Sequence, residues 1–309
     1  MFDIKGDIKT MKKILAAILA PAVIFSSAAS TANTKYLYDS YIIRGDMDAI
    51  AHRGYSAVAP ENTLPAFELA GQHGFWGAEC DIHITSDGVW IISHDSNIER
   101  MTDGEGEIKD MTYDELMQYT IDAGSNVEKY PGLKMPKIVD YLDICKKYGI
   151  HPVIEIKYES NSDFDSLSEI LNTREEKDMF VIISFERGAL IEMKKRMPNT
   201  PMYLLESLST MESIDFCLEN GIEGLDLAGV ESVETLNAIH EAGLDTIVWT
   251  IDDMNSAQMW YEHGVRKITT DLLVPDAPRN TRLLHKIVWG ILNLRDSILR
   301  FFENISSSC

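Results

Sequence analysis

The sequence predicts an α/β protein, a TIM (β/α)8 barrel with one small insertion. Three observations point there. From Pro136 onward, short β-branched runs alternate with helical patterns, and two more strand-like runs lie upstream, so eight parallel strands can be counted. The units span about 250 residues, the usual size of such a barrel. Polar residues gather at the C-terminal ends of the strand runs, where barrels of this kind build their sites. An open doubly wound sheet is the competing architecture. It is disfavoured because no Gly-rich nucleotide loop follows the first strand.

The chain has 309 residues, 45% of them hydrophobic and 25% charged, an ordinary globular composition. Its formal net charge of −21 argues against nucleic-acid binding, which needs clustered Lys and Arg. Met11-Lys12-Lys13, an apolar run from Ile14 to Phe25 and small residues to Ala32 have the order of a secretory signal peptide. The expected division is therefore a leader over 1–32, starting at Met1 or Met11, and a barrel domain over 33–309. The expected location is extracellular or periplasmic. Cleavage is expected after Ala32 or Ala28, and the apolar run is shorter than the roughly 20 residues that span a membrane. The four cysteines, Cys80, Cys145, Cys217 and Cys309, show no CxxC pair, which argues against a zinc cluster. Cys145 and Cys217 sit in apolar helical patterns and read as small buried side chains.

The expected strands are Ala49–His52, Ala78–Ile82, Pro152–Lys157, Phe180–Phe185, Met202–Leu205, Gly224–Leu227, Thr246–Thr250 and Lys267–Thr270. The expected helices between them are led by Pro60–Gly74, with Asn62 or Thr63 as its cap, and by Ile138–Tyr148. Segment 96–135 is polar and contains Gly, and it reads as an insertion over the site. The stretch from Leu283 to Phe302 is amphipathic, with Leu284, Ile287, Val288, Ile291, Ile298, Leu299 and Phe302 at helical spacing. It stands where the last barrel helix belongs, and that reading is preferred to contact with a membrane surface.

The chemistry centres on ECDIHITSDGVWIISHD, Glu79 to Asp95. On a strand Glu79 and Asp81 point the same way. A two-residue Asp87-Gly88 turn would pair Ser86 with Val89 and place His94 opposite Asp81. A solvated edge hairpin is the competing reading of this stretch alone. His83 shares the face of Glu79 and Asp81 but lies nearer the turn, and is expected to make a surface contact. His52-Arg53 ends the first strand, and Glu155 and Lys157 share one face of the third. Ser184, Glu206, Asp226, Trp249 and Asp271 sit at later ends. Asp271 reads equally as a substrate contact or a cap, and Ser184 and Phe185 either line a pocket or end a strand. Three carboxylates suit a hard divalent cation, Ca²⁺ or Mg²⁺. An arginine beside them would neutralise phosphate oxygens. Two histidines can divide a proton transfer, one taking and one giving.

AHRGYSAVAPENTLPAF, ECDIHITSDGVWIISHD, VIEIK and VWTID, in that order, resemble the glycerophosphodiester phosphodiesterases over roughly Ile50 to Pro275. The resemblance implies a TIM barrel with an insertion after the His-Asp pair. It implies metal ligands Glu79, Asp81 and Glu155 and an acid/base pair His52 and His94. Arg53 would hold the phosphate, Lys157 would lie near it, and Trp249 would wall the pocket. The reaction implied is cleavage of a glycerophosphodiester to glycerol 3-phosphate and an alcohol, with the neighbouring glycerol hydroxyl attacking first. Asp252 departs from the family's usual Asn and puts the polar contacts at that pocket edge in question. The alternatives are a lysophospholipase D-like hydrolase of lipid diesters and a protein that binds such diesters without cleaving them.

Overall fold

The computed structural model describes residues 42–43, 47–230 and 232–275. The expected leader over 1–32, the Leu283–Phe302 stretch and Cys309 lie outside the described residues. Eight parallel strands close into a barrel. They are β2 (Asp48–Ala51), β3 (Gly77–Ile84), β5 (His151–Ile156), β6 (Val181–Ser184), β7 (Met202–Glu206), β8 (Gly224–Leu227), β9 (Asp245–Val248) and β10 (Lys267–Thr270). Their order is β2-β10-β9-β8-β7-β6-β5-β3, and β2 pairs with β3 to complete the ring. Strand β4 (Trp90–Ile92) runs antiparallel to β3. A short parallel pair, β1 (Ile42–Ile43) with β11 (Val274–Pro275), was not expected from the sequence.

Helices on the outside connect the strands: α1 (Leu64–Gln72), α3 (Ile138–Tyr148), α4 (Phe164–Asn172), α5 (Arg187–Arg196), α6 (Met211–Asn220), α7 (Val233–Glu241) and α8 (Met254–Glu262). Side chains caps fix several starts: Asp163 accepts from the Asp165 and Ser166 amides, and Asp253 from those of Asn255 and Ser256. No described helix is long and apolar enough to cross a membrane.

Period-two alternation divides each strand between two cores. Ala78, Cys80, Ile82, Ile154, Ile156, Leu204 and Leu225 pack outward against the helices. Ile50, Val153, Val181, Ile183, Tyr203, Leu205 and Ile247 fill the barrel interior. Both faces are buried, which is why the strands read as near-continuous apolar runs. The residues that break those runs, Glu79, Asp81, Glu155 and Asp226, sit on the interior side and are 8% exposed or less. Cys80, Cys145 and Cys217 are buried free thiols.

Segment 96–135 folds over one side of the barrel mouth. It holds a short helix α2 (Tyr113–Leu116), with Thr112 and Glu115 capping each other's backbone. Ile98, Ile108, Leu116, Ile121 and Met135 form a separate apolar cluster with Ile91 of β4. The polar composition of this segment therefore conceals a small core of its own.

Candidate active site

The site begins at the turn after β2. Arg53 adopts φ 55° and Gly54 φ 76°, a conformation that side chains with a Cβ rarely take. This turns the Arg53 amide onto Glu79 Oε2 at 2.7 Å. Asn62 also has a positive φ, 56°, and its amide donates to the Arg53 carbonyl at 2.9 Å. Strained backbone at two facing positions costs on the order of 1–3 kcal/mol each and persists only where the surroundings enforce it. Gly54 is required here twice over. A Cβ on it would lie 2.7 Å from the Ala66 backbone carbon of α1, and its φ is left-handed. Gly54→Ala is expected to lower stability by about 2 kcal/mol or more, measured as a fall in the chemical denaturation midpoint.

The expected hairpin register is corrected by one residue. Ile82 pairs with Ile92 and Ile84 with Trp90, so Asp81 faces Ser93 and not His94. The cause is a three-residue turn. Thr85 Oγ1 donates to Asp87 Oδ1 and accepts from the Val89 amide, which draws Ser86 into the loop with Asp87 and Gly88. His94 lies two residues past the end of β4, and the Asp81 charge still acts on its ring.

Glu79 and Asp81 of β3 and Glu155 of β5 converge, each offering an oxygen within 4.8 Å of the others. The register makes this so, because Asp81 is the direct partner of Glu155. Lys157 Nζ lies 2.5 Å from Glu155 Oε1 and 2.9 Å from Asp81 Oδ1. Arg53 Nε lies 3.6 Å from Asp81 Oδ2, which also accepts from Asn62 Nδ2 at 2.8 Å. Burial raises the Asp81 carboxyl, but Lys157 and Arg53 overcome it and hold the group well below the usual range. Burial and then the Asp81 charge push Glu155 up to about 7. Burial, Asp81 and Glu155 together raise Glu79 well above its ordinary value. Three carboxylates thus share two cations, and the shortfall raises the affinity of Glu79 and Glu155 for a proton.

Those residues fit a hard cation. The donor set is all oxygen, the spacing suits ligands of one ion at roughly 2.0–2.6 Å, and the Lys157 ammonium already bridges two of the three as a cation would.

Each histidine is held at Nδ1 by a carboxylate. His52 Nδ1 is 2.8 Å from Asp271 Oδ1, and His94 Nδ1 is 2.7 Å from Asp95 Oδ1. Among the described residues this leaves each Nε2 as the nitrogen open to exchange a proton. Burial lowers the His94 pKa below its ordinary value, against the pull of Asp81 and Asp95. Asp271 is therefore a partner of His52, and Ser56 Oγ donates to the same oxygen at 2.9 Å. Asp252 Oδ1 accepts from Thr270 Oγ1 at 2.9 Å and the Asp271 amide at 2.8 Å. The departure at Asp252 is harmless there, because an Asn would offer the same oxygen. A chain of ion pairs joins the two halves: Arg53 to Glu61 at 3.0 Å, Glu61 to Arg100 at 2.7 Å, and Arg100 to Asp95 at 2.5 Å.

Sequence reasoning missed Asn62, Asp95, Glu61 and Arg100, although three of them lie in or beside the motifs quoted above. The expected cap at Asn62 or Thr63 is also corrected. Asn62 is engaged by Asp81, Thr63 donates to the Pro60 carbonyl, and α1 starts without a side-chain cap. His83 is not a surface residue: it is buried, with Nδ1 2.8 Å from Glu159 Oε1. Glu206 is tied to Arg187 and Ser213 and does not join the triad. Ser184 ends its strand, bonded to the Ile156 carbonyl. Trp249 lies just past β9, its indole N–H donating to the Asp226 carbonyl at 3.2 Å and its ring edge-on to Phe185.

Asp226 lies in the barrel interior, 1% exposed, and its Oδ1 has no hydrogen-bond partner among the described residues. Burial and then Glu155 raise its pKa well above the ordinary value. A carboxyl that keeps its proton when folded contributes stability below its unfolded pKa and loses it as pH rises. Asp226→Asn is therefore expected to raise the melting temperature at pH 7–8 and to change it little near pH 4. Paired thermal melts at the two pH values check this.

Comparison with known proteins agrees with this geometry. Residues 52–274 match the Glycerophosphoryl diester phosphodiesterase family. The chain is 29% identical over 229 residues to the glycerophosphodiester phosphodiesterase of Caldanaerobacter subterraneus subsp. tengcongensis, covering 72% of this chain and 93% of that one. It is 28% identical over 265 residues to the glycerophosphodiester phosphodiesterase of Bacillus subtilis, covering 78% and 86%. Among solved structures, an Oleispira antarctica phosphodiesterase in complex with the product sn-glycerol-3-phosphate superposes with a TM-score of 0.69. It is 28% identical, with 76% of this chain and 95% of that one covered. The chain belongs to the glycerophosphoryl diester phosphodiesterase family and is an enzyme of that family.

Proposed function

We propose that the protein hydrolyses glycerophosphodiesters to sn-glycerol 3-phosphate and an alcohol, using a divalent cation held by Glu79, Asp81 and Glu155. The observation that carries this reading is the carboxylate triad, short of positive charge, together with two histidines each anchored at Nδ1. A protein that only captured diesters would need no such anchored pair. Ca²⁺ or Mg²⁺ bound there would supply positive charge against the phosphate oxygens as negative charge grows on them.

The protein's own groups account for the rest. Arg53 and Lys157 hold and neutralise the phosphate. One histidine Nε2 takes the proton from the glycerol hydroxyl next to the ester as its oxygen bonds to phosphorus. The other Nε2 gives a proton to the alcohol oxygen as the bond from phosphorus to that oxygen breaks. Water then opens the cyclic phosphate with the proton transfers reversed, leaving glycerol 3-phosphate. Trp249 walls the pocket. Export through the leader over 1–32 is part of the same reading, and mass measurement of secreted protein tests its removal.

Turnover is tested by stripping the protein with EDTA and following glycerol 3-phosphate release from a glycerophosphodiester. Activity is expected to vanish and to return with Mg²⁺ or Ca²⁺. Full activity in EDTA contradicts the reading.

Metal binding is expected to depend on pH. Glu155 binds a proton up to about 7 when folded, above its ordinary 4.5. Its contribution to stability is present below pH 4.5 and is lost as pH rises through 7. Cation binding must displace that proton, so the rise in melting temperature on adding Ca²⁺ or Mg²⁺ is expected to be small at pH 5 and to grow to a plateau above pH 8. Scanning fluorimetry across that range checks it.

A further inference from the structure

The insertion over 96–135 delivers Arg100 to the edge of the site, and its main chain there is fixed from both sides. Ile98 and Thr102 are buried. The Thr102 amide and hydroxyl both donate to the Ile98 carbonyl, at 3.1 and 2.7 Å. The Asp122 amide donates to the Met101 carbonyl at 3.1 Å. Residue 100 therefore stands at the apex of a closed turn, and Ile98 ties that turn to the insertion's own apolar cluster.

From this apex the guanidinium spans two carboxylates. Its Nε donates to Asp95 Oδ2 at 2.5 Å, and its Nη2 to Glu61 Oε1 at 2.7 Å. Each carboxylate is already committed to a residue of the site. The other oxygen of Asp95, Oδ1, lies 2.7 Å from His94 Nδ1. Glu61 Oε1 also accepts from Arg53 Nη1 at 3.0 Å. The terminal torsion of an aspartate is broad, so a carboxylate held at one oxygen can swing. With Arg100 on Oδ2, Asp95 is held at both oxygens, and Oδ1 stays aimed at the His94 ring. The planar fork of an arginine can serve two acceptors in fixed directions, which an ammonium cannot.

Stability is not a sufficient reason for this bridge. Arg100 is 45% exposed and Asp95 26%, and ion pairs so open to water contribute little to folding. Positioning is a different matter, because moving a reacting group by about 1 Å can cost about 10²-fold in rate.

We propose that Arg100 is a positioning residue, through which the insertion aligns His94 by way of Asp95 and Arg53 by way of Glu61. The proposal rests on the hydrolase reading above and deepens it by adding a residue that acts only through others. Its two arms bear on different steps. The Asp95 arm serves proton transfer and so kcat. The Glu61 arm serves the hold of Arg53 on the phosphate and so KM.

The test measures kcat and KM of the cation-loaded protein on the fastest substrate among the choline, ethanolamine and glycerol diesters of glycerol phosphate. Arg100→Ala is expected to lower kcat by about tenfold to thirtyfold and to raise KM about threefold, with the melting temperature little changed. In an Asp95→Ala background the same change should lower kcat by no more than about twofold further, because the intermediary is gone. In a Glu61→Ala background the kcat loss should persist and the KM rise should not. Independent structural damage would instead multiply the losses in both backgrounds. A wild-type kcat in Arg100→Ala, or its full loss repeated in the Asp95→Ala background, overturns the proposal while the hydrolase reading stands. No cation-dependent turnover of any of the three diesters by the wild-type protein overturns both. Should Arg100→Ala fail to fold by thermal melt, Arg100→Lys takes its place in the same backgrounds, since an ammonium can hold only one of the two carboxylates in place.

Discussion

Asp81→Asn is expected to lower kcat by about 10³-fold or more, equivalent to about 4 kcal/mol of lost transition-state stabilisation. Asp81 is the hub of the site. It is the strand partner of Glu155, the ion-pair partner of Lys157 and Arg53, and the hydrogen-bond acceptor of Asn62. It is also the carboxylate of the three whose pKa is driven down, so it carries the negative charge most firmly. The amide keeps the shape and loses the charge. Arg53 and Lys157 are then left with one strong partner fewer, and cation affinity falls with them. Calorimetric titration should show Ca²⁺ or Mg²⁺ binding weakened by at least about tenfold to a hundredfold. A variant with unaltered cation affinity would remove Asp81 from the proposed metal centre, whatever its activity.

His52→Ala and His94→Ala are each expected to lower kcat by about 10²- to 10⁴-fold, the usual worth of a positioned acid or base. The double variant should fall little below the worse single one, because the proposed mechanism places the two groups in one proton-transfer sequence. Neither ring touches the triad's hydrogen bonds, so cation-induced stabilisation should persist in both. That separates a loss of proton transfer from a loss of the metal site. Asp271→Asn and Asp95→Asn should show smaller losses, about tenfold to a hundredfold. Their role is to fix the ring and its tautomer through Nδ1. Steady-state kinetics on the five variants tests the set.

Much of this site was legible in the sequence, and the reason is periodicity. Glu79, Asp81 and Glu155 stand at alternate positions within apolar runs that are buried on both faces, so they must point into the barrel and toward one another. His52 and Arg53 follow directly because they end a strand. What periodicity cannot supply is the geometry of loops. The register of the β3–β4 hairpin shifted by one residue because a single hydroxyl, on Thr85, bonds across the turn and lengthens it. Local patterning makes Asn62 a helix cap because it describes the helix and not the carboxylate 19 residues away. Asp271 lies 219 residues from His52, a partnership created only when β10 closes against β2. Position along the strand alone puts His83 near the surface, whereas its partner, Glu159, arrives from the loop after β5 and covers it. The inward face was right, and the depth depended on a distant segment.

The central claim is that the triad supports cleavage of the bond between phosphorus and the alcohol. The most direct test is ³¹P NMR of a glycerophosphodiester incubated with EDTA-stripped protein, before and after adding Mg²⁺ or Ca²⁺. The expected result is an unchanged diester signal without the cation, and conversion to sn-glycerol 3-phosphate once it is added. Appearance of the phosphorylated alcohol with free glycerol, or conversion that ignores the cation, would contradict it.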